Sequence, residues 1–338
     1  MKGSAGFWFD RVSYERRMQA AAALMFLGFL GVGPLSFGRL APQLVGVMLC
    51  SAQSSLGEAS LLALASRHPR NGADAVAAWS SGTGLAGVFG YAWVAGLTRF
   101  LGLRVETAIA LAMVSLPFAY YASYFALLRE KAKPESGAAT AALVPQALAL
   151  TARARLAFAL SLWPVTGAIV AVYFSEYAMQ SGVWAAMGFP NPQNPEKRDA
   201  FYEYANWMYQ CGVLVSRSSA LVCGGAVRKR ALWAMALAQC GMLAFFALDA
   251  AFHWWYDSSI LALCFVVGLF GGAVYVHGFR LLAATGDRAK RELAMTVGAF
   301  SSDCGTLLSN VVGLALQGCL YEANDIEGAT IPVGWCSK

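Results

Sequence analysis

Nine long runs that are nearly free of charge divide this chain, and they dictate its class. A helix of about 20 apolar residues spans the hydrocarbon of a bilayer. Inside lipid every backbone N–H and C=O must be satisfied internally, which leaves helices or closed barrels. The runs are approximately Met18–Phe37, Gln43–Ala65, Ala75–Thr98, Val105–Leu128, Ala157–Met187, Tyr202–Val222, Ala231–Trp254, Ser258–Leu282 and Leu293–Tyr321. Of 338 residues, 58% are hydrophobic and 13% charged, where soluble domains carry about 25% charged residues. The sequence therefore predicts an all-α polytopic membrane protein with about nine transmembrane helices. The fifth and ninth runs are overlong, which predicts tilting or kinking. Pro164 in the fifth, and Gly298, Gly305 and Gly313 in the ninth, are the places for it. Arg11, Arg16 and Arg17 precede the first run as in a signal peptide, but the run is long and no small-residue cleavage site follows. A first spanning helix is the reading.

Charge between the runs alternates. One side carries Lys2, Arg11, Arg16, Arg17, Arg67, Arg70, Arg129, Lys131, Lys133, Arg153, Arg155, Arg228, Lys229, Arg230, Arg288, Lys290 and Arg291. The other carries Arg39, Arg99, Arg104, Lys197, Arg198 and Lys338, so the split is 17 against 6. The positive side is cytosolic, which places the N-terminus in the cytosol and the C-terminus across the membrane. The net charge of +6 thus reflects basic loops, and no nucleic-acid binding is read from it.

The longest break gives the expected organisation: an N-terminal half of four helices over 1–128, a basic cytosolic linker over 129–156, a C-terminal half of five helices over 157–322, and a short non-cytosolic tail over 323–338. Phe189–Asp199 holds Pro190, Pro192 and Pro195 and reads as a non-cytosolic loop rather than helix. The eight cysteines show no CxxC or His/Cys ligand spacing, so neither a metal site nor a disulfide framework is predicted, and no cofactor. The three histidines form no paired array and no GxSxG motif occurs, which argues against a membrane desaturase, protease or hydrolase.

Polar residues within apolar runs are the candidate sites, because an intramembrane charge is expensive and marks function by default. Glu176 lies in Ala168–Trp184, and Tyr173, Glu176, Tyr177, Gln180 and Trp184 share its helical stripe. The stripe either faces a water-filled cavity or supplies a helix–helix hydrogen bond. Arg217 shares a face with Gln210 and Glu203 at steps of seven. It either meets an anion, a carboxylate such as Glu176 or a solute group, or snorkels to the interface. Glu58 lines a cavity or pairs with Arg67 or Arg70. Asp303 follows Ser301 and Ser302 and is a further intramembrane carboxylate. His277 is a proton switch or a packing residue. The stretch Ser80–Gly87 contains a literal GxGxxG, but no strand precedes it, which rules out the nucleotide reading. Gly82, Gly84, Gly87 and Gly90, with Gly268 and Gly272, are predicted helix-packing positions, and Ser80, Ser81 and Thr83 could present hydroxyls where backbones approach. Asp249 and Asp257 flank Phe252–Tyr256 as an interfacial belt.

Taken together, these motifs resemble the battenin (Batten-disease protein) family. The matching residues are Gly57-Glu58, Trp79-Ser80-Ser81-Gly82-Thr83-Gly84, Val172-Tyr173-Phe174-x-Glu176-Tyr177 with Gly182, Tyr209-Gln210-x-Gly212-Val213 with Ser216-Arg217-Ser218-Ser219, Gly271-Gly272-Ala273-x-Tyr275-Val276, and Arg291-Glu292-x-Ala294-Met295 with Ser302-Asp303-x-Gly305. The resemblance implies a major-facilitator-like bundle of two halves in the lysosomal or vacuolar membrane. It also implies roles in lumenal pH and in moving basic amino acids or glycerophosphodiesters. Family members have about eleven helices, so the resemblance implies an N-terminally shortened member lacking the first two. Gln180-Ser181-Gly182 stands where the family has Asn-Gln-Gly, and His277 where it often has Asn. Cys336 is third from the end, so no prenylation box is present.

The expectation is a secondary transporter, not an enzyme, whose partners are the bilayer, protons and a small solute. Glu176, Arg217, Glu58 and Asp303 would line a cavity between the halves. The alternative is a non-transporting scaffold or trafficking regulator that meets cytosolic proteins or lipid headgroups through its basic loops.

Overall fold

The computed structural model describes residues 12–36, 39–66, 72–129, 151–224, 227–285 and 288–331. Most of the expected linker (130–150), the basic positions Lys2, Arg11, Arg67, Arg70, Lys131, Lys133 and Lys338, and the tail beyond Ile331 lie outside them. All regular structure among the described residues is helical: α1 (Tyr14–Val32), α2 (Leu40–Ser66), α3 (Gly72–Ala95), α4 (Val105–Ser123), α5 (Ala152–Ser161), α6 (Trp163–Ala178), α7 (Pro195–Cys223), α8 (Lys229–Phe252), α9 (Leu261–Ala283) and α10 (Arg288–Ala323). Short π-helical turns extend α3, α4 and α6, the last over Met179–Val183 and followed by a 3-10 turn at Trp184–Ala186.

Each predicted run is largely helical where it is described, but among the described residues only five helical stretches are long and apolar enough to cross a membrane, or six if α5 and α6 count as one span. These five contain α2, α4, α8, α9 and α10. The difference from nine has a plain cause. α1 opens with Glu15, Arg16 and Arg17, α3 carries Ser80, Ser81, Thr83 and four glycines between residues 82 and 90, and α7 carries Glu203, Gln210 and Arg217, which lower their apolarity. The fifth run is two helices bent by 68° rather than one. Leu162 caps α6 and Pro164 sits in its first turn, where a missing N–H is harmless. α10 runs 36 residues through Gly298, Gly305 and Gly313 without a break.

Local signals fix the other ends. Ser13 Oγ accepts from Arg16 N at 3.4 Å and starts α1. Asn194 Oδ1 accepts from Glu196 N at 2.9 Å and starts α7 at Pro195. Half of the proline-rich stretch read as loop is therefore the first turn of a helix, because proline at the first helical position is pre-organised. Gly224 (φ 54°) ends α7 in the left-handed region.

The chain forms two compact units that interleave along the sequence. The first comprises Met1–Val76, Phe89–Leu160 and Ala283–Ala299. Its α1 and α2 cross closely at glycines: a Cβ on Gly31 would stand 2.8 Å from Gly46 Cα. α4 joins them through Tyr120, whose hydroxyl donates to Met18 Sδ at 3.2 Å. Arg17, counted above among the basic residues flanking the first run, is 1% exposed and paired with Glu292 of α10 at 3.0 Å.

The second unit comprises Ala77–Val88, Ser161–Leu282 and Phe300–Lys338. Its core gathers around Trp184, fully buried between Tyr209 of α7 (6.3 Å between ring centroids) and Phe246 of α8 (5.8 Å). The segment before α7 is pinned rather than loose. Phe189 packs edge-on to Phe201 and Tyr256, and Gly188 N donates to Tyr256 Oη at 3.1 Å. Asp249, predicted at an interface, is fully buried, and its Oδ1 accepts from Trp255 N at 2.6 Å to close the end of α8. Cys319 is disulfide-bonded, although the cysteine spacing predicted no disulfide framework; among the described residues Cys50, Cys211, Cys240, Cys264 and Cys304 are free.

Candidate functional site

Four helices of the second unit bring one carboxylate and one guanidinium together. Glu176, on α6, is 2% exposed. The Tyr209 hydroxyl of α7 donates to its carboxylate, while Oε2 has no hydrogen-bond partner in the protein. Oε2 lies against Gly271 of α9, where any Cβ would collide with it. The glycine therefore makes room for the carboxylate beside the α9 backbone.

Arg217 stands two turns along α7 from Tyr209 and within electrostatic reach of Glu176, without a direct ion pair. Its guanidinium stacks on the Tyr275 ring of α9, with Cζ 4.0 Å from the centroid, a cation–π geometry. Nη1 donates to Thr83 Oγ1 of α3 at 2.7 Å. Nε is buried and unpartnered. A neutral hydroxyl and an aromatic face hold the cation in place without neutralising it. Tyr173 stacks on Tyr177 (5.8 Å, 26° between planes) and leans on Tyr275 (6.4 Å), extending the aromatic wall from α6 to α9.

Glycines set how closely these helices approach. A Cβ on Gly84 of α3 would lie 3.1 Å from Leu214 Cα, and one on Gly87 would strike the Gln210 side chain. On α9, Cβ atoms at Gly268 and Gly272 would strike Tyr209 O and Ser216 Oγ of α7. Gly82 and Gly90 meet nothing within 4 Å among the described residues and are exposed, so these two of the four predicted positions on α3 make no helix contact there. The contact instead follows Gly84 and Gly87. Ser81 Oγ and Ser218 Oγ lie 2.8 Å apart on the same α3–α7 seam.

Of the predicted residues, Glu176, Arg217, Tyr173 and Tyr177 come together here, and Gln210 sits two turns from Arg217 on the α3 side. Gln180 is one turn beyond Glu176, in the π-helical turn, with Nε2 buried and unpartnered. Asp303 is half-buried on α10. Two residues on, Gly305 packs against Val170 O and Tyr173 Cβ of α6, so Asp303 occupies a different face of its helix. His277 is half-buried beside Arg280. Arg280 itself donates to Ala220 O and Gly224 O and closes the end of α7. Glu58 belongs to the first unit, half-buried on α2. Sequence reasoning left Tyr209 and Gly271 out of the site, although both stand in the motifs quoted above. Gly271→Ala is expected to displace Oε2 and abolish any function of the carboxylate while leaving the fold intact. Transport assays beside a melting curve check this, and normal activity in the variant would contradict it.

Comparison with known proteins agrees with the motifs. A family model described as CLN3 protein matches residues 1–155 and 144–323. Protein BTN1 of Yarrowia lipolytica is 31% identical over 359 residues, covering 100% of this chain and 86% of the relative. Battenin of Canis lupus familiaris is 33% identical over 292 residues, covering 81% of this chain and 64% of its own length. Protein btn1 of Schizosaccharomyces pombe is 30% identical, covering 93% of this chain and 80% of its own length. This multi-pass membrane protein belongs to the CLN3 (battenin) family.

Proposed function

We propose that this protein is a secondary transporter of the lysosomal or vacuolar membrane that serves lumenal pH homeostasis. It couples proton movement to a small solute, a basic amino acid or a glycerophosphodiester. One observation carries the reading: Glu176 is buried with a free carboxylate oxygen, beside an Arg217 that is held by Tyr275 and Thr83 but not ion-paired. A carboxylate and a guanidinium kept close yet unpaired form a poor structural element and a good exchange element. When Glu176 binds a proton, its hold on Arg217 disappears and the guanidinium is available to an anionic solute group. When the proton leaves, the carboxylate draws the guanidinium back or meets a cationic solute group. Alternation between these states would be read out by two helical halves in a major-facilitator-like arrangement, with the N-terminus cytosolic as the basic loops indicate.

The test is uptake by proteoliposomes under an imposed pH gradient. Glu176→Gln keeps the shape and removes the titration. It is expected to abolish the pH dependence of glycerophosphodiester or arginine uptake with normal folding. Undiminished, pH-dependent uptake would remove Glu176 from the mechanism.

A further inference from the structure

Tyr209 lies midway along α7 and is 4% exposed. Three contacts fix it between α9 and the turn that follows α6. Its ring meets Trp184 edge-on, with 6.3 Å between centroids. Its carbonyl oxygen is the atom that a Cβ on Gly268 of α9 would strike. A Cβ on Gly271, about one turn further along α9, would lie 3.9 Å from Tyr209 Cε2 and against Glu176 Oε2. One notch in α9 therefore receives both the edge of the Tyr209 ring and the carboxylate, and the Tyr209 hydroxyl donates to that carboxylate.

Ring and hydroxyl answer to different needs. Packing on Trp184 and α9 requires only the ring, which phenylalanine would also supply. A buried hydroxyl is costly unless it is hydrogen-bonded, and the partner here is Glu176. A donor to a carboxylate favours its charged form. The other charged and titratable groups around Glu176 can be named helix by helix. Arg217 of α7 acts on it through space. Tyr173 and Tyr177 flank it on α6, and Tyr275 of α9 faces Arg217. His277 and Arg280 stand towards the end of α9, and Arg280 is held by Ala220 O and Gly224 O. α8 carries no charged residue between Arg230 and Asp249, and its Cys240 is engaged by Ser175 Oγ. α3 carries no charged residue between Asp74 and Arg99. α10, which packs on α6 at Gly305 and follows it to Gly313, carries Asp303. Arg217 supplies charge at a distance, whereas Tyr209 supplies a directed bond.

We propose that Tyr209 is the positioning residue of the proton step: its hydroxyl holds the Glu176 carboxylate in the α9 notch and sets the pH at which that carboxylate exchanges a proton. The consequence for flux rests on the transport reading above; the hold on Glu176 does not. Tyr209 keeps its own proton throughout. A proton arriving at the free oxygen of Glu176 turns the charged partner of the hydroxyl into a neutral one. Hydrogen bonds to an ionised acceptor are about twice as strong as neutral ones, so the tie between α6 and α7 weakens as the carboxylate is neutralised. The contact between the two helices thereby reads the protonation of Glu176.

The experiment is an infrared pH titration of the purified full chain in lipid, with pH-driven uptake measured alongside. The carboxyl C=O band that Glu176→Gln removes reports the protonation of Glu176 directly. Tyr209→Phe keeps the ring and its packing on Trp184 but leaves the ionised carboxylate one donor short. The midpoint of that band is expected to move up by about one pH unit, the worth of one hydrogen bond to a charged group. The pH of half-maximal uptake should move with it. Tyr209→fluorotyrosine makes the hydroxyl a stronger donor, so both midpoints should move down; it also covers a phenylalanine variant that fails to fold. Midpoints unchanged in both variants, or moved the same way in both, would overturn the proposal. So would a wild type with no titrating band that Glu176→Gln removes. A displaced band with wild-type pH dependence of uptake would overturn the consequence for flux. Glu176→Gln also separates the two readings: full pH-driven uptake there defeats the transport mechanism, while the infrared midpoints still decide for or against Tyr209.

Discussion

Arg17→Ala is expected to destabilise the protein by about 3–5 kcal/mol, the loss typical of breaking a buried ion pair. The Arg17 side chain is 0% and that of Glu292 7% exposed, with 3.0 Å between Nη1 and Oε1. Arg17 Nε also donates to Val12 O at 3.0 Å, and the guanidinium lies 4.6 Å over the Tyr14 ring. Removing the arginine leaves a buried carboxylate with its chief partner gone. Glu292→Ala should be about as harmful, and the double variant Arg17→Met with Glu292→Leu much milder, since no charge is then left uncompensated. Thermal melting in detergent measures all three. A loss below about 1 kcal/mol for Arg17→Ala, the range of exposed pairs, would mean the pair is solvated.

Arg217→Lys is expected to keep the fold and weaken solute binding by roughly tenfold to a hundredfold, matching about 1.5–3 kcal/mol for hydrogen bonds made by a charged group. Lysine retains the charge. It has neither the planar face that stacks on Tyr275 nor the second nitrogen that would bind a solute while the first holds Thr83. The change should appear in the apparent affinity of uptake, while the pH dependence set by Glu176 persists. Unchanged affinity would place Arg217 outside the solute site and leave it a packing residue between α3, α7 and α9.

The positions of the helices were legible because a membrane demands apolar runs and the basic loops punctuate them. Their number as spans was less legible. α3 and α7 turn Thr83, Gly84, Gly87, Gln210 and Arg217 towards each other, and residues of these kinds lower the apolarity of both helices. The break at Leu162 illustrates a local ambiguity: proline within an apolar run either kinks a helix or begins one, and only the cap geometry decides. Glu176 and Arg217 stood out because charge in an apolar run has few explanations. Thr83, Tyr275 and Gly271 reach them from α3 and α9, Tyr209 reaches Glu176 from α7, and helix-to-helix register is not encoded in any local spacing. Arg17 and Glu292, 275 positions apart, looked like ordinary loop charges for the same reason.

The central claim is that Glu176 carries the proton that moves with the solute. Its most direct test is to load proteoliposomes at acid pH with a pH-sensitive dye and follow internal pH as a glycerophosphodiester or arginine is added outside. The account predicts a solute-dependent change of internal pH with the wild type and none with Glu176→Gln at equal protein density. Solute movement by the wild type with no accompanying change of pH, or an undiminished pH change with Glu176→Gln, would contradict it.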